Sequence, residues 1–389
     1  MATLVRPLTP ATEKATHIPW YLWCCALAVT SVTVGGQWDV SWHRSIGRDT
    51  FWTPAHIAIY LCGVLAGIAT GYLIFDTTLR KSSPLRECSV RVLGFTAPLG
   101  AFLCAWGGVA MLTSAPFDNW WHNAYGLDVK IISPPHALLV LGIFAVKIGA
   151  LLLIGAAMNR AIKEGRAYAA LQALFLYVAG LMLELAMFFV MEHTLDIFLH
   201  QASAYIAVAM GPPLICAAAW KASRRRWAAS WLAGIYMAVL ITAILVLPLF
   251  PAAPKLGPVY QNVTHFIPPR FPVLVIVPAI VLDLLWSRIG ERNKLLVALA
   301  SGPAFVLALV AAEWPFANFL MTKAADNRFF ATGMHDYGTP SWAASVTRHF
   351  VNPEHGATLW SGLGVAMLCA AVSVRLGLLL GDWMRKIQR

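Results

Sequence analysis

Long runs of apolar residues, separated by short polar segments, dominate the chain. Each run approaches the roughly 20 residues that a helix needs to cross a bilayer. Ten runs of this kind lie at 19–38, 54–75, 92–114, 134–157, 168–191, 198–219, 228–250, 270–287, 295–319 and 357–380. The pattern predicts an all-α fold: a polytopic transmembrane helical bundle of about ten spans, built from repeated helical hairpins.

The overall composition agrees with a membrane protein. The chain has 389 residues, of which 59% are hydrophobic and 12% are charged, and this is too apolar for a soluble domain of that length. We therefore expect a lipid bilayer as the main partner. The seven cysteines fall within predicted spans or beside the basic segments, so we interpret them as packing residues and not as disulfides.

Charge is distributed unevenly between the connecting segments. Lys and Arg concentrate in alternate connections, and the positive-inside rule then places both termini in the cytoplasm. The net charge of +11 is explained by this topology, and it gives no indication of a nucleic-acid partner. Most of the eleven histidines fall on the opposite side. The sequence thus predicts a multi-pass protein of the cytoplasmic (inner) membrane, with metal-competent side chains near the extracytoplasmic face.

Five segments follow from this topology. They are a cytoplasmic N-terminal segment at 1–18, two hairpins that carry the candidate metal motifs at 19–157, further transmembrane hairpins at 158–319, a long extracytoplasmic loop at 320–356, and the last span with a basic cytoplasmic tail at 357–389.

The first candidate motif surrounds the connection between spans one and two. If the first helix continues through His43, Asp39 and His43 lie four residues apart on one face. Pro54 predicts the first turn of the next helix, because proline is tolerated where its missing N–H would be unpaired, and this places His56 in that turn. One carboxylate and two imidazoles are then expected to meet at the mouth of a helical hairpin.

A second motif repeats the first between spans three and four. Asp118 and His122 have the same spacing as the first pair, and His136 falls one residue later than the second histidine of the first motif would predict. Asp128 stands where Asp49 stands in the first copy. We interpret Asp49 and Asp128 as additional ligands or as outer support for the ligands, which metal sites commonly require.

A third polar cluster lies near the end of span five. A helix through this stretch would put His193, Asp196 and His200 on one side, with Glu192 next to them. A further metal site and a hydrogen-bonded cluster between spans five and six are both open interpretations. Glu184 lies within the span itself, where an ionisable group usually marks a partner or a pathway.

Two other features of the spans carry structural predictions. Lys147 lies about 20 Å below the outer end of span four by helical rise, so we expect its side chain to extend toward the cytoplasmic interface. Gly63, Gly67 and Gly71 recur at intervals of four in span two and predict tight helix packing.

Two histidines and one carboxylate suit several metals: by ligand type alone the set favours non-haem iron, with zinc and copper also possible, whereas the affinity order favours copper if it is available. Three protein ligands leave coordination positions for oxygen or water, so oxidation of a small-molecule substrate is chemically reasonable.

Two other functions remain open. A metal transport or metal-delivery protein needs ligands through the inner half of the membrane, where Asp283 and cysteines are the candidates, and a b-type cytochrome needs facing histidines within spans.

The first motif resembles the metal-binding motif of the C subunit of the copper membrane monooxygenases, the particulate methane and ammonia monooxygenases. The matching residues are Asp39, Trp42, His43, Arg48, Asp49, Thr50, Thr53, Pro54 and His56. The resemblance implies copper as cofactor, oxidation of a small substrate with O2, and other membrane or extracytoplasmic subunits as partners. It covers only this short stretch, and the motif occurs here in duplicate, as expected of a divergent relative.

Overall fold

The computed structural model describes residues 17–126, 133–194, 199–290, 293–330, 337 and 353–388, without the side chains of 192–194. The helices are α1 Trp20–Ser45, α2 Pro54–Leu79, α3 Leu99–Tyr125, α4 Pro134–Lys163, α5 Ala169–Thr194, α6 Ala202–Met210, α7 Pro212–Ser223, α8 Ala228–Val246, α9 Ile276–Ile289, α10 Lys294–Leu320 and α11 Gly356–Met384. Short 3-10 turns lie at Leu247–Leu249 and Lys323–Ala325. Strands β1 (Val90–Val92) and β2 (Phe95–Ala97) form a small antiparallel hairpin.

Among the described residues, eight helical segments are long and apolar enough to cross a membrane. They are Pro54–Leu79, Leu99–Tyr125, Pro134–Lys163, Ala169–Met191, Ala202–Ser223, Ala228–Leu249, Lys294–Leu320 and Gly356–Met384. The prediction of an all-α, multi-pass membrane protein is confirmed to this extent. The first predicted span is also helical, as the 26-residue α1, but its Trp, Thr, Gly and Gln residues make it less apolar than these eight.

The predicted span at 270–287 differs from the structure, because the chain there becomes helical only at Ile276. Three prolines precede that residue and interrupt the helical hydrogen-bond pattern. The non-helical backbone that follows them is buried and therefore needs acceptors for its N–H groups. Val273 N–H donates to Tyr236 Oη at 3.0 Å, and Leu274 N–H donates to Glu313 Oε2 at 3.0 Å.

This acceptor role of Glu313 leads to a prediction. Glu313→Leu leaves the buried Leu274 N–H without its acceptor, and we expect the free energy of unfolding to fall by about 1–3 kcal/mol. Glu313→Gln is the matched control, since it also removes the charge but keeps an acceptor oxygen. Thermal unfolding in detergent, followed by circular dichroism, compares the two variants. Equal stability would contradict the assignment.

Four glycines bring α3 and α4 into close contact. A Cβ at Gly107 would lie 2.6 Å from Gly142 O, and one at Gly100 would lie 2.5 Å from Gly149 O. The glycines are seven residues apart in each helix, which is the repeat of a left-handed helix pair. Small residues at such positions let two backbones approach closely inside a membrane. The pairing places the end of α3 beside the start of α4.

The glycine stripe predicted on α2 is wrong at two of its three positions. At Gly67 and Gly71 no described atom lies within 4 Å of an added Cβ, so these residues make no close helix contact in the described part of the chain. Gly63 does meet α3, with Gly108 O at 3.2 Å from its added Cβ. Sequence spacing identifies a stripe, but the neighbours of the helix decide which part of it is used.

Lys147 does not extend to the cytoplasmic interface, so that prediction is wrong. Its side chain is buried, and Nζ donates to Leu181 O at 2.7 Å and to Thr33 Oγ1 at 3.1 Å. Glu184 Oε2 lies 3.7 Å from Nζ, while Gln37 Nε2 donates to Glu184 Oε1 at 2.8 Å. Because neighbouring helices supply these partners, the ammonium group has no need of the membrane surface. Of the two interpretations of Glu184, a partner or a pathway, the structure shows the partner.

Candidate metal centres

The ends of α1 and α2 place the first set of candidate ligands as the sequence predicts. α1 remains helical through Ser45, so Asp39 and His43 share one face. α2 begins at Pro54, which puts His56 in its first turn. Thr53 precedes this turn, and its Oγ1 accepts a hydrogen bond from Thr50 N–H at 2.8 Å, which closes the connecting loop.

Asp39, His43 and His56 come together as a compact donor set. His56 Nε2 lies 3.2 Å from Asp39 Oδ1, and His43 Nε2 lies 3.7 Å from Asp39 Oδ2. One donor atom from each residue lies within 4.8 Å of the others. Metal–nitrogen and metal–oxygen bonds of about 2.0–2.2 Å require donor atoms at roughly this spacing. We call these three residues, together with Asp49, the first centre.

The contacts of His56 at the first centre fit either a metal ion or a second proton on its ring. Its Nδ1 lies 2.9 Å from Thr50 O, and because a carbonyl only accepts, Nδ1 carries the proton. If the ring is neutral, Nε2 then presents a lone pair to the carboxylates of Asp39 and Asp49. Such a contact is unfavourable unless a metal ion or a proton lies between Nε2 and the carboxylate oxygens. Asp39 Oδ1 is buried and, in the described part of the chain, accepts no hydrogen bond of good geometry. These residues therefore fit a bound metal ion.

Asp49 lies closer to the two histidines than an outer supporting residue would. Its Oδ2 is 3.2 Å from His56 Nε2 and 3.5 Å from His43 Nε2, and its side chain is 7% exposed. Burial alone would raise the pKa of Asp49, but the hydrogen bond with His56 and the nearby charge of His43 hold it below its usual range. Trp42 Nε1 donates to Arg48 O at 3.0 Å and fixes the loop that carries Asp49. Of the two roles left open, direct ligation is the one this geometry favours.

We expect Asp49→Ala to weaken metal affinity at the first centre by more than about 100-fold, since the loss of a ligand should exceed the 10- to 100-fold loss that is usual for an outer supporting residue. Without the Asp49 carboxylate, the site has one negative charge fewer to balance the charge of a divalent metal ion. Competition against a chelator of known affinity measures the change. Asp49→Asn keeps an oxygen donor and is expected to lose less. Unchanged affinity in both variants would show that Asp49 does not contribute.

The second centre consists of Asp118, His122 and His136. His122 Nε2 and His136 Nε2 lie 3.7 and 3.6 Å from the same atom, Asp118 Oδ1. His136 is oriented by Ser133, whose Oγ lies 3.0 Å from Nδ1 and also accepts the His136 backbone N–H at 3.4 Å as the cap of α4. Asp118 Oδ1 is buried and, within the described ranges, accepts no hydrogen bond of good geometry. The donor types again suit a metal ion, but among the described residues only Asp39, His43 and His56 have donor atoms that all lie within 4.8 Å of one another.

Two cavities connect the centres. The loop cavity, of about 440 Å³, is lined by Asp49 and His56 of the first centre and by Asp118 and His122 of the second, with Tyr60 among them. The bundle cavity, of about 390 Å³, touches both centres through Asp39, His43 and His136 and extends inward to Lys147 and Glu184. The two donor sets therefore face common spaces.

The third polar cluster is only partly described. His200 Nε2 lies 2.9 Å from Asn318 Oδ1, and its ring packs edge-to-face against Trp314. An amide oxygen accepts, so Nε2 carries the proton, and burial lowers the pKa of His200. For His200 this favours a hydrogen-bonded cluster over a metal ligand. The remaining predicted positions, namely Asp128, Asp196 and the side chains of Glu192 and His193, lie outside the described residues.

Sequence reasoning did not connect Lys147 with the centres. The sequence did contain one indication of this contact: Lys147 and Glu184 have opposite charges and lie inside neighbouring predicted spans. Such residues usually pair with each other. Gln37, two residues before the first ligand, gave no signal of its own.

Comparison with protein family models, with curated proteins and with solved structures finds no match for this chain. What the protein does must therefore be inferred from the geometry of its own two centres.

Proposed function

We propose that the chain is a copper-binding integral membrane oxidoreductase, or a subunit of one, that oxidises a small substrate with O2. The observation that carries the proposal is the orientation of His56. One ring nitrogen is held by a backbone carbonyl, and the other faces the carboxylates of Asp39 and Asp49 at 3.2 Å each. This arrangement is favourable when a metal ion or a proton lies between the second nitrogen and the two carboxylates.

Each residue of the centres has a defined role in this proposal. Asp39, His43 and His56 hold one ion with Asp49, and Asp118, His122 and His136 hold a second. Thr50 O and Ser133 Oγ orient the rings of the second histidine in each set.

Copper is favoured by its place in the affinity order and by the local resemblance to copper monooxygenases, whereas the two-histidine, one-carboxylate donor set by itself favours non-haem iron. Iron and zinc accept the same donors, so the identity of the metal is the first quantity to measure. Bound copper would supply electron exchange with O2, and the protein would supply the binding space and the charge around it.

We further propose ten membrane crossings, in which α1 and the segment that contains α9 join the eight apolar helices. Both termini would then be cytoplasmic. The centres lie at the ends of α1 and α2 that are joined by their loop, whereas the basic residues Arg80, Lys81 and Arg86 follow the opposite end of α2. By the positive-inside rule this supports centres at the extracytoplasmic face.

The bundle cavity favours an oxidoreductase over metal transport. A path for a cation would continue from the centres through the bundle, but the inner end of this cavity carries the ammonium group of Lys147. The carboxylate of Glu184 lies 3.7 Å from this ammonium group and is already paired with it, so it is a poor ligand for a passing metal ion. The space is therefore better suited to holding a small molecule beside the metal ligands.

Elemental analysis of the purified protein tests the proposal. We expect copper to be retained in preference to zinc and iron when all three are offered, and oxygen to be consumed when a reductant is added. Chelator-stripped and zinc-loaded protein are the controls, and neither is expected to consume oxygen. A haem absorption band would support the cytochrome alternative. Metal uptake into vesicles without oxygen consumption would support transport.

A further inference from the structure

The inner end of the bundle cavity holds two ionisable side chains that the proposed metal sites do not use. α1 lines the cavity with Thr33, Gly36, Asp39 and His43, a spacing of three to four residues that keeps them on one helix face. The first two lie toward the inner end and the last two at the first centre. Much of the remaining wall is apolar. One continuous space therefore joins the metal ligands to the Lys147–Glu184 pair.

Within this pair, one oxygen retains the capacity to accept a proton. Lys147 Nζ directs two of its three protons to Leu181 O and Thr33 Oγ1. Glu184 Oε1 accepts from Gln37 Nε2, but Oε2 lies 3.7 Å from Nζ, beyond the length of a direct hydrogen bond. Glu184 Oε2 is thus the oxygen able to take up a proton while Lys147 keeps its other contacts.

Retaining such a pair inside a membrane span needs a reason. Burying both charges is unfavourable, and apolar residues of similar volume would fill the same space without that cost. Ionisable groups in spans commonly serve proton or ion pathways. A group that can change its charge is useful here, because an electron added to a metal in a low-dielectric site is stabilised when a proton binds nearby.

A second, smaller space reaches Glu184 from another direction. A cleft of about 20 Å³, enough for about one water molecule, is lined by Glu184, Gln37, Arg44, Tyr236 and Arg270. Glu184 and Arg44 line this cleft and the bundle cavity alike. Glu184 therefore lies between the cavity that contains the metal ligands and a small cleft beside two arginines.

The charged and titratable groups that face Glu184 come from four elements. They are Lys147 from α4, Arg44 from α1, Tyr236 from α8 and Arg270 from the segment before α9, and Asp39, His43 and His136 share the bundle cavity with it. The positive charges of Lys147, Arg44 and Arg270 favour an ionised Glu184 before any electron is added, whereas the burial of Glu184 opposes ionisation. An electron added to the metal of the first centre makes the ionised form of Glu184 less favourable.

We propose that Glu184 is the proton-exchanging group of the first centre. When an external one-electron donor reduces the metal held there, Glu184 Oε2 binds one proton that enters through the cleft beside Arg44. The carboxylate becomes a carboxylic acid, no covalent bond other than this O–H is formed, and the proton is later released into the bundle cavity for use in the oxidation. This inference rests on the proposed function, since it requires a redox-active metal.

Proton uptake during reduction tests the assignment without relying on turnover. The copper-loaded full chain in detergent is reduced at an electrode, through a mediator that carries no proton, while an indicator dye records the pH. We expect about one proton per chain for the wild type, bound when the first centre is reduced. Glu184→Gln keeps an acceptor for Gln37 and is expected to hold the same copper but to lose this uptake. Glu313→Gln is the matched control, because Glu313 is another buried membrane carboxylate, and it is expected to behave as wild type.

A second variant tests the release of the proton into the bundle cavity. Gly36 lines this cavity but not the cleft, and no described atom lies within 4 Å of its added Cβ, so Gly36→Leu fills part of the cavity without a backbone clash in the described structure. We expect proton release on reoxidation to be at least about tenfold slower in this variant, with proton uptake and copper content unchanged. If Glu184→Gln fails to fold, a wild-type release rate in Gly36→Leu overturns the proposal.

The two proposals fail in different ways. A folded, copper-loaded Glu184→Gln that takes up as many protons as the wild type overturns the role of Glu184 and leaves the metal centres untouched. A wild-type protein that retains no copper overturns the proposed function itself, and the proton assignment with it.

Discussion

Purified His56→Ala is expected to hold about one copper ion fewer per chain than the wild type while remaining folded. His56 Nε2 is the atom that faces both Asp39 Oδ1 and Asp49 Oδ2, so truncation removes the donor that the two carboxylates share. Loss of an outer supporting residue usually costs 10- to 100-fold in affinity, and loss of a ligand should exceed about 100-fold. The ring lies in the first turn of α2 and lines the loop cavity, so its removal enlarges that cavity and does not open one among the packed helices.

Metal content by mass spectrometry and helix content by circular dichroism measure this effect. His265→Ala is the control, because His265 lies in a non-helical segment with its Nδ1 3.0 Å from Thr264 Oγ1 and is not part of either centre. It is expected to keep all of its copper. Full copper retention in His56→Ala would contradict ligation, and equal losses in both variants would indicate a nonspecific effect.

Gly107→Leu is expected to destroy the second centre and to destabilise the protein. A Cβ at this position would lie 2.6 Å from Gly142 O and 2.8 Å from Val146 N, so the backbones of α3 and α4 must separate. Overpacking usually costs about 1–3 kcal/mol, and a clash with backbone atoms cannot be relieved by a side-chain rotation. Because α3 carries Asp118 and His122 and α4 carries His136, the separation moves the donors apart.

Copper stoichiometry and thermal unfolding distinguish this effect from a general loss of structure. Gly107→Leu is expected to keep the copper of the first centre, whose ligands lie on α1 and α2 with their loop, and to lose that of the second. Gly71→Leu is the matched control, since no described atom lies within 4 Å of its added Cβ. Two retained copper ions and an unchanged unfolding temperature in Gly107→Leu would refute the packing argument.

Local sequence rules predicted the first centre because its geometry depends on few variables. Asp39 and His43 are related by the helical repeat alone, and Pro54 fixes where the next helix begins and hence where His56 lies. Asp49 was harder to place. Its position depends on the path of the loop, which is set by the hydrogen bond from Trp42 to Arg48.

Predictions that depended on single helices were less successful. Lys147 was expected to extend along its own helix to the membrane surface, but α1 and α5 provide it with acceptors and a counter-charge inside the bundle. The predicted span at 270–287 was too long, because prolines delay the helix to Ile276 and the backbone before it is held by Tyr236 and Glu313. In each case a neighbouring helix supplied a polar partner that hydropathy does not reveal.

The sequence by itself determined the class of protein, the approximate positions of most membrane helices, and the pairing of a carboxylate with two histidines at each of two helix connections. These properties follow from apolar run length, helical periodicity and proline geometry, all of which act over a few residues. Tertiary structure alone decided that both centres face shared cavities and that Lys147 meets Glu184. Those contacts depend on which helix faces lie together, and that is set by close packing between residues distant in the chain.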